Sequence, residues 1–207
     1  MTKKFHYLLL VLFIVSAKLF AQNNKTALLV KEEASLKITS FLNLIPEGRE
    51  NEYGFANRSD FSNVKIEEPY QIYYVSLTND KLIFNPAGWR VPVSVNNKYV
   101  TLLTVQFTNG KAEAVDFGGN VLAQKIEEFE KLNPTNANQR VIIRNTFLKH
   151  DYITTNYSLL CNNKKGVDFI NNASAQYIYQ LNEAQPIKTA IGSFYDDTIN
   201  FIKATTK

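Results

Sequence analysis

The stretch WRVPVSVNNKYVTLLTVQFTNGKAEAVDFGGN, residues 89–120, decides the fold of this chain. It contains Asn109-Gly110, a pair that adopts two positive φ angles easily and so fits the type I′ turn of a tight hairpin. The residues on either side alternate between apolar and polar, as in strands with one buried face. The stretch therefore predicts two antiparallel strands joined by a two-residue turn, followed by a helix near Asn120.

Counting outward from the Asn109-Gly110 turn sets the register of this hairpin, because side chains alternate between the two faces of a strand. The pairs predicted on the inner face are Phe107–Ala112, Val105–Ala114 and Leu103–Asp116. Large residues on one strand then face alanines on the other, which leaves room for a helix to pack. Asp116 is the one charged residue predicted on this buried face.

The preceding hairpin turns at Asn96-Asn97, and its loop length is set by the same alternation. A two-residue loop would place Val91 and Val93 on the face opposite the other apolar residues. A three-residue loop or a bulge returns both valines to the inner face, and we predict one of these. Pro92 lacks a ladder donor, which predicts an edge position or a bulge nearby.

The chain before residue 89 predicts one helix and two strands. From Lys25 to Ile45 the apolar residues recur every three or four positions, which predicts a helix that ends before Pro46. A strand is predicted at residues 70–77, a short return strand at 81–84, and a turn at Asn85-Pro86-Ala87-Gly88.

The fold class predicted from these elements is α+β. An N-terminal helix packs on an antiparallel meander of about five strands, and a helix at residues 120–132, further antiparallel strands and a C-terminal helix follow. Residues 22–132 make up the helix and meander module. The polar run at 133–139 marks a boundary, and residues 140–207 either complete the same sheet or form a small subdomain.

Residues 1–21 are predicted to be a signal peptide. Basic Lys3 and Lys4 precede an apolar run that is too short to span a bilayer, and small residues offer a cleavage site after Ala17 or after Ala21. We expect an exported protein, periplasmic or extracellular, with no membrane insertion after the signal is removed.

The net charge of +4 depends on this leader. Removing its three lysines from 23 basic residues leaves 20, against 19 acidic residues. A nearly neutral chain predicts no nucleic-acid partner, because phosphate binding needs surplus basic charge. Cys161 is the single cysteine, so no intrachain disulfide forms, which is typical of a bacterial exported protein. We expect a monomer.

The residue types needed for several catalytic chemistries are missing from the sequence. His150 is the one histidine outside the leader, which excludes a two-histidine metal site, and we expect no metal and no cofactor. No G-x-S-x-G elbow and no glycine-rich phosphate loop is present. A Cys161/His150 dyad or a pair of carboxylates leaves a hydrolase as an alternative.

Five residues are candidates for ligand binding. Trp89 and Arg90 can stack on a sugar or an extended peptide. Tyr53 and Phe55 lie in a polar loop, residues 46–63. They either form the rim of a ligand-binding site or pack on the core and hold the loop in place. Asp116 joins the candidates because a charge on a predicted inner face needs an explanation.

The stretch PYQIYYVSL, residues 69–77, together with residues 89–119 resembles small exported bacterial modules of cystatin-like or PepSY-like build. Such modules accompany, inhibit or chaperone secreted proteases, or bind at the cell surface. The resemblance implies a non-enzymatic binding or protease-inhibitor/propeptide-like module that recognises a protein, peptide or glycan. The alternatives are a hydrolase that depends on carboxylates or Cys161, and a structural component of a cell-envelope assembly.

Overall fold

The computed structural model describes residues 25–78, 81–133, 141–154, 177–181 and 187–205. The predicted signal peptide, Cys161 and most of the predicted boundary segment at 133–139 lie outside these residues.

The first helix, α1, covers residues 25–43 and buries the predicted apolar stripe, including Val30, Ala34 and Ile38. The loop that follows contains two short 3-10 helices, Glu50–Tyr53 and Arg58–Asn63. The second of these begins with a capping box, in which the Asn57 side chain accepts a hydrogen bond from the backbone of Ser59. The loop predicted from composition is therefore locally ordered by its own polar residues.

Nine strands and two further helices follow within the described residues. In chain order they are β1 Val64–Ile66, β2 Tyr70–Thr78, β3 Lys81–Val95, β4 Lys98–Thr108, β5 Lys111–Gly118, α2 Asn120–Leu132, β6 Val141–Asn145, β7 His150–Thr154, β8 Tyr177–Gln180, β9 Ile187–Ala190 and α3 Ile191–Thr205. The predicted α+β class is confirmed, and α2 has the predicted bounds. The strands are more numerous than predicted.

All nine strands belong to one sheet, ordered β5-β4-β3-β2-β6-β7-β8-β9, with β1 beside the distal half of β3. Strand β6 runs parallel to β2, and every other pair described is antiparallel. The strands after residue 140 therefore extend the sheet formed by the meander.

Strand β3 is one strand of 15 residues where a short strand, a turn and a second strand were predicted. The turn predicted at Asn85-Pro86-Ala87-Gly88 is wrong. Tyr73 pairs with Pro86 and Ile72 with Gly88, so Ala87 is the extra residue of a β-bulge. Gly88 has a φ of +139°, which a glycine adopts without strain, and the chain continues in the sheet instead of reversing.

The hairpin at Asn109-Gly110 is confirmed, with positive φ at both residues. Its register follows the prediction as far as Val105–Ala114 and then shifts, because Val115 forms a bulge. Asp116 consequently pairs with Thr104, lies on the opposite face and has a side chain 66% exposed. The predicted inward position of Asp116 is therefore wrong, and Phe117 occupies the inner face opposite Leu103.

The other hairpin has the two-residue loop Asn96-Asn97, so the predicted three-residue loop is wrong. The alternative, a bulge, is present: Ser94 pairs with Tyr99, but Val93 pairs with Thr101. Val100 is the extra residue of this bulge. It shifts the side-chain alternation by one position, so the valines of β3 face the core.

The three helices divide between the two faces of the sheet. Helix α1 packs on the odd-numbered apolar residues of β3 and β4, among them Trp89 and Val105. Gln71 pairs with both Trp89 and Val141, which places the α3 cluster around Val141 and Ile143 on the same face. Helix α2 packs on the opposite face, against a cluster that includes Tyr70, Leu102, Ile142 and Ile153.

Candidate functional site

Six residues form a polar surface of two rows on the α2 side of the sheet, and the row of Ile72 and Ile142, which belongs to the α2 cluster, lies between them. We call it the polar face, and its residues are Tyr74, Arg90, Thr104, Asp116, Arg144 and Asp151. Strand pairing aligns Arg90 with Thr104 and Thr104 with Asp116. A second row aligns Tyr74 with Arg144 and Arg144 with Asp151.

The position of each row follows from side-chain alternation. Arg90 pairs with Tyr70, which belongs to the α2 cluster, and Arg144 lies two residues after Ile142, which belongs to the same cluster. Both arginines therefore project on the α2 side. The two rows are brought together because β6 inserts next to β2 in the parallel sense.

Arg90 is the least neutralised charge of the polar face. Its Nη1 donates to the hydroxyl of Thr104 and lies 3.8 Å from Oδ2 of Asp116. Its Nε is buried and has no hydrogen-bond partner among the described residues. Burial lowers the pKa of Arg90, and the positive charge of Arg144 lowers it further.

Arg144 is held differently. Its Nε and Nη2 both donate to Asp151, at 2.8 Å each, in a bidentate pair. The hydrogen bond to Asp151 raises the pKa of Arg144 above its usual value, and Tyr74 contributes in the same direction. The two arginines therefore differ: Arg144 has a bidentate carboxylate partner, whereas the nearest carboxylate to Arg90 is 3.8 Å away.

The surface around the arginines is open and mostly neutral. Tyr74 is 41% exposed, and Asn85 and Gln106 are exposed on the same face. Asn85 donates to the hydroxyl of Ser76 at 2.8 Å. The polar face therefore offers an aromatic ring, amides and hydroxyls beside its charges.

The structure separates the five candidates from the sequence. Arg90 and Asp116 lie together on the polar face. Trp89 points to the other face, where it is 7% exposed beneath α1. Tyr53 and Phe55 stack on Phe117, and Phe55 is 1% exposed, so these aromatics pin the loop to the body.

Sequence reasoning missed Tyr74, Arg144 and Asp151. Their placement depends on the parallel pairing of β2 with β6, two strands separated by more than 60 residues, which no local pattern encodes. One signal was present in the segment VIIRN, residues 141–145, where an arginine follows three apolar residues in a predicted strand. A charge in such a run is unusual unless a partner is near.

A second concave surface, the α2 groove, lies at the end of the β3–β4 hairpin and has a volume of about 340 Å³. Its lining residues are Lys65, Glu67, Asn97, Tyr99, Glu127, Glu130 and Lys131. Glu130 accepts hydrogen bonds from the hydroxyls of Tyr70 and Tyr99, and Glu127 accepts from the backbone N–H of Tyr99 at 3.0 Å. These carboxylates tie α2 to the sheet.

The remaining chemical candidates are placed as follows. No group of three His, Cys, Asp or Glu side chains suited to a metal ion occurs in the ranges that the structure describes. His150 packs edge-on against Tyr152, and the proposed partner Cys161 lies outside the described residues. Within those same ranges no helix is both long and apolar enough to cross a bilayer.

Comparison with known proteins gives no relative: no protein-family model, no curated protein and no solved structure matches this chain.

Proposed function

We propose that this protein is an exported, non-enzymatic binding module that docks an extended ligand on its polar face. The observation that carries the proposal is that α2 covers only part of its side of the sheet. The remainder presents the exposed Tyr74 beside Arg144, and Arg90 lies two rows away on the same face. Such a mixture of one aromatic and several convergent polar groups is the usual composition of a binding surface.

The geometry favours the face of the sheet over its β5 edge. Peptide-strand addition needs unpaired backbone groups along an edge strand. On β5 the backbone N–H of Ala114 donates to Glu33 of α1 at 3.4 Å, and the bulge at Val115 interrupts the strand. Bulges and charged side chains are the devices that protect edges from pairing. A ligand that lies across the polar face meets neither obstacle.

The carboxylates of the α2 groove support a binding role over the hydrolase alternative. Glu67 accepts from the buried hydroxyl of Ser94 at 2.7 Å, and Glu127 and Glu130 each accept from donors on the sheet. A general acid or base must exchange its proton with substrate. Carboxylates occupied by structural donors are suited to holding α2 in place.

Export is tested directly. The full chain, with a C-terminal tag, is expressed in a Gram-negative bacterium and the tagged protein is recovered from periplasm and medium for intact-mass measurement. We expect a product that begins at Lys18 or Gln22. Recovery of the whole chain from the cytosol alone would overturn this part of the proposal.

Binding is tested by titrating the ¹⁵N-labelled protein with polygalacturonate, a neutral galactan and poly-glutamate while recording amide shifts. We expect shifts for at least one probe, clustered on the polar face, with no cleavage of the polymer. Tyr74→Ala is expected to weaken binding, whereas Phe201→Ala is not, although Phe201 is equally exposed at 42% on the helix α3. Polymer cleavage, absence of shifts for every probe, or shifts confined to another surface would contradict the proposal.

A further inference from the structure

The charge distribution of the polar face limits the kind of ligand it fits. Arg144 is 30% exposed and is neutralised by both oxygens of Asp151. Arg90 is 15% exposed, yet its nearest carboxylate, Asp116, is 3.8 Å away and 66% exposed. A solvent-exposed partner at that distance compensates a mostly buried guanidinium weakly. Arg90 is therefore the more weakly compensated of the two arginines, and a ligand carboxylate can pair with it.

The weakly compensated charge of Arg90 fits one anionic group of a ligand and not a run of such groups. The face carries two arginines and two aspartates, so its net charge is close to zero. A polyanion with charges at every step needs a basic stripe. A planar guanidinium is matched best by a carboxylate, which accepts two parallel N–H donors. The ligand class favoured is a neutral polymer that bears one carboxylate at the position of Arg90.

The neutral surroundings distinguish a glycan from a peptide. The exposed ring of Tyr74 provides a platform for a sugar, and the amides of Asn85 and Gln106 can pair with hydroxyls. Peptide recognition by strand addition requires an open edge, and at β5 Glu33 and the bulge obstruct it. These features together favour a carbohydrate.

Resting on the proposed binding function, we infer that the polar face recognises a carboxylated glycan of the uronic-acid type, with the sugar carboxylate on Arg90 and a sugar ring on Tyr74. The carboxylate replaces Asp116 as the counter-ion of Arg90. The hydroxyl of Thr104, which already accepts from Arg90, fixes the guanidinium in the orientation that receives it.

The test compares a galactan that bears one galacturonate unit per chain with the same polymer after methyl esterification, which keeps the sugar backbone and removes the single charge. Affinity is measured by calorimetry at constant ionic strength. We expect the esterified polymer to bind at least about 10-fold more weakly, as for loss of a hydrogen bond to a charged group. Equal affinity for both polymers would overturn the uronate assignment but leave the binding function standing. Binding of neither would overturn the uronate assignment, and it would refute the binding function as well if unmodified galactan and poly-glutamate also failed to bind. Tighter binding of poly-glutamate would assign the face to acidic peptides.

Two variants test whether the ligand carboxylate binds Arg90. Arg90→Gln should remove the preference for the unesterified polymer, whereas Lys37→Gln, which loses one exposed charge on α1, should keep it. Asp116→Asn removes the competing carboxylate at an exposed position and should strengthen binding of the unesterified polymer by about 2- to 5-fold, the range of an exposed ion pair. Weaker binding by Asp116→Asn, or an unchanged preference in a folded Arg90→Gln variant, would overturn the assignment.

Discussion

Nδ2 of Asn145 on β6 donates a hydrogen bond to Oγ1 of Thr198 on α3 at 2.7 Å, in a site where both residues are 0% exposed. The hydroxyl of Thr198 in turn donates to the carbonyl of Phe194, and Oδ1 of Asn145 accepts from the backbone of Phe147 and Leu148. One side chain therefore orders the β6–β7 turn and attaches the last helix to the sheet.

Thr198→Val is expected to lower the free energy of unfolding by about 1–3 kcal/mol, because the substitution leaves the buried amide of Asn145 without an acceptor. Equilibrium urea unfolding measures the change. The matched control is Thr205→Val in the same helix, where the hydroxyl is exposed, and there we expect less than about 0.5 kcal/mol. Equal losses for the two variants would contradict the buried role.

Gly54 fixes the close approach of the 3-10 loop to β4. Its φ is +92°, and a Cβ atom there would lie 2.0 Å from the carbonyl oxygen of Val100. Gly54→Ala should destabilise the protein by more than about 3 kcal/mol, since backbone atoms must move as well as the φ angle be strained. Thermal unfolding followed by circular dichroism provides the measurement.

Gly48→Ala is the control for that experiment. Gly48 also has a positive φ, +82°, but a Cβ there meets no atom within 4 Å. Only the cost of the left-handed conformation remains, about 1–2 kcal/mol. If both alanine variants lose the same stability, steric contact with Val100 is not what requires a glycine at position 54.

Alkaline pH should destabilise the α3 side of the core through Tyr152. Burial, assisted by Asp197, raises the pKa of Tyr152 to about 12 in the folded protein, against about 10 in the unfolded chain. Between these values the folded state binds the extra proton, so its stability is complete below pH 10 and falls as pH rises towards 12. The slope from this residue is at most about 1.4 kcal/mol per pH unit.

Urea unfolding at several pH values between 9 and 12 tests this dependence. Tyr152→Phe should flatten the decline, because the titrating hydroxyl is gone. Tyr74→Phe, which removes a hydroxyl from a tyrosine that is 41% exposed, is the control. A pH dependence identical in both variants would assign the effect to other groups.

Glu33 protects the edge of the sheet by accepting the backbone N–H of Ala114. Glu33→Ala should leave this donor available and promote self-association through β5 at high protein concentration. Sedimentation velocity detects the change. Glu32→Ala on the exposed side of the same helix removes the same charge without touching the edge, and we expect that variant to behave as the unmodified protein does.

Much of the meander was predictable because its signals are local. Asn109-Gly110 prefers positive φ angles, and those angles produced the predicted hairpin with its register as far as Val105–Ala114. The apolar spacing before Pro46 gave α1, and the segment after Gly119 gave α2 with its observed bounds. In each case a short stretch restricts its own backbone.

The errors share one physical origin, the β-bulge. Ala87, Val100 and Val115 each add one residue to a strand, and each changes which side chains face the core beyond it. The bulge at Val100 was one of the two alternatives that side-chain alternation predicted, whereas the bulges at Ala87 and Val115 are stabilised by the surrounding strands and helices and have no local sequence signal. The bulge at Val115 moved Asp116 from the buried face to the polar face.

The sequence by itself determined the Asn109-Gly110 turn, the helices and the apolar faces as far as each bulge, because turn angles and side-chain alternation are properties of neighbouring residues. Only the tertiary structure decided that Arg90 and Arg144 lie on one face of the sheet. This arrangement requires β6 to enter the sheet parallel to β2, a pairing supported by packing against α2 and α3. The polar face exists because that long-range choice places two arginines on one side of the sheet.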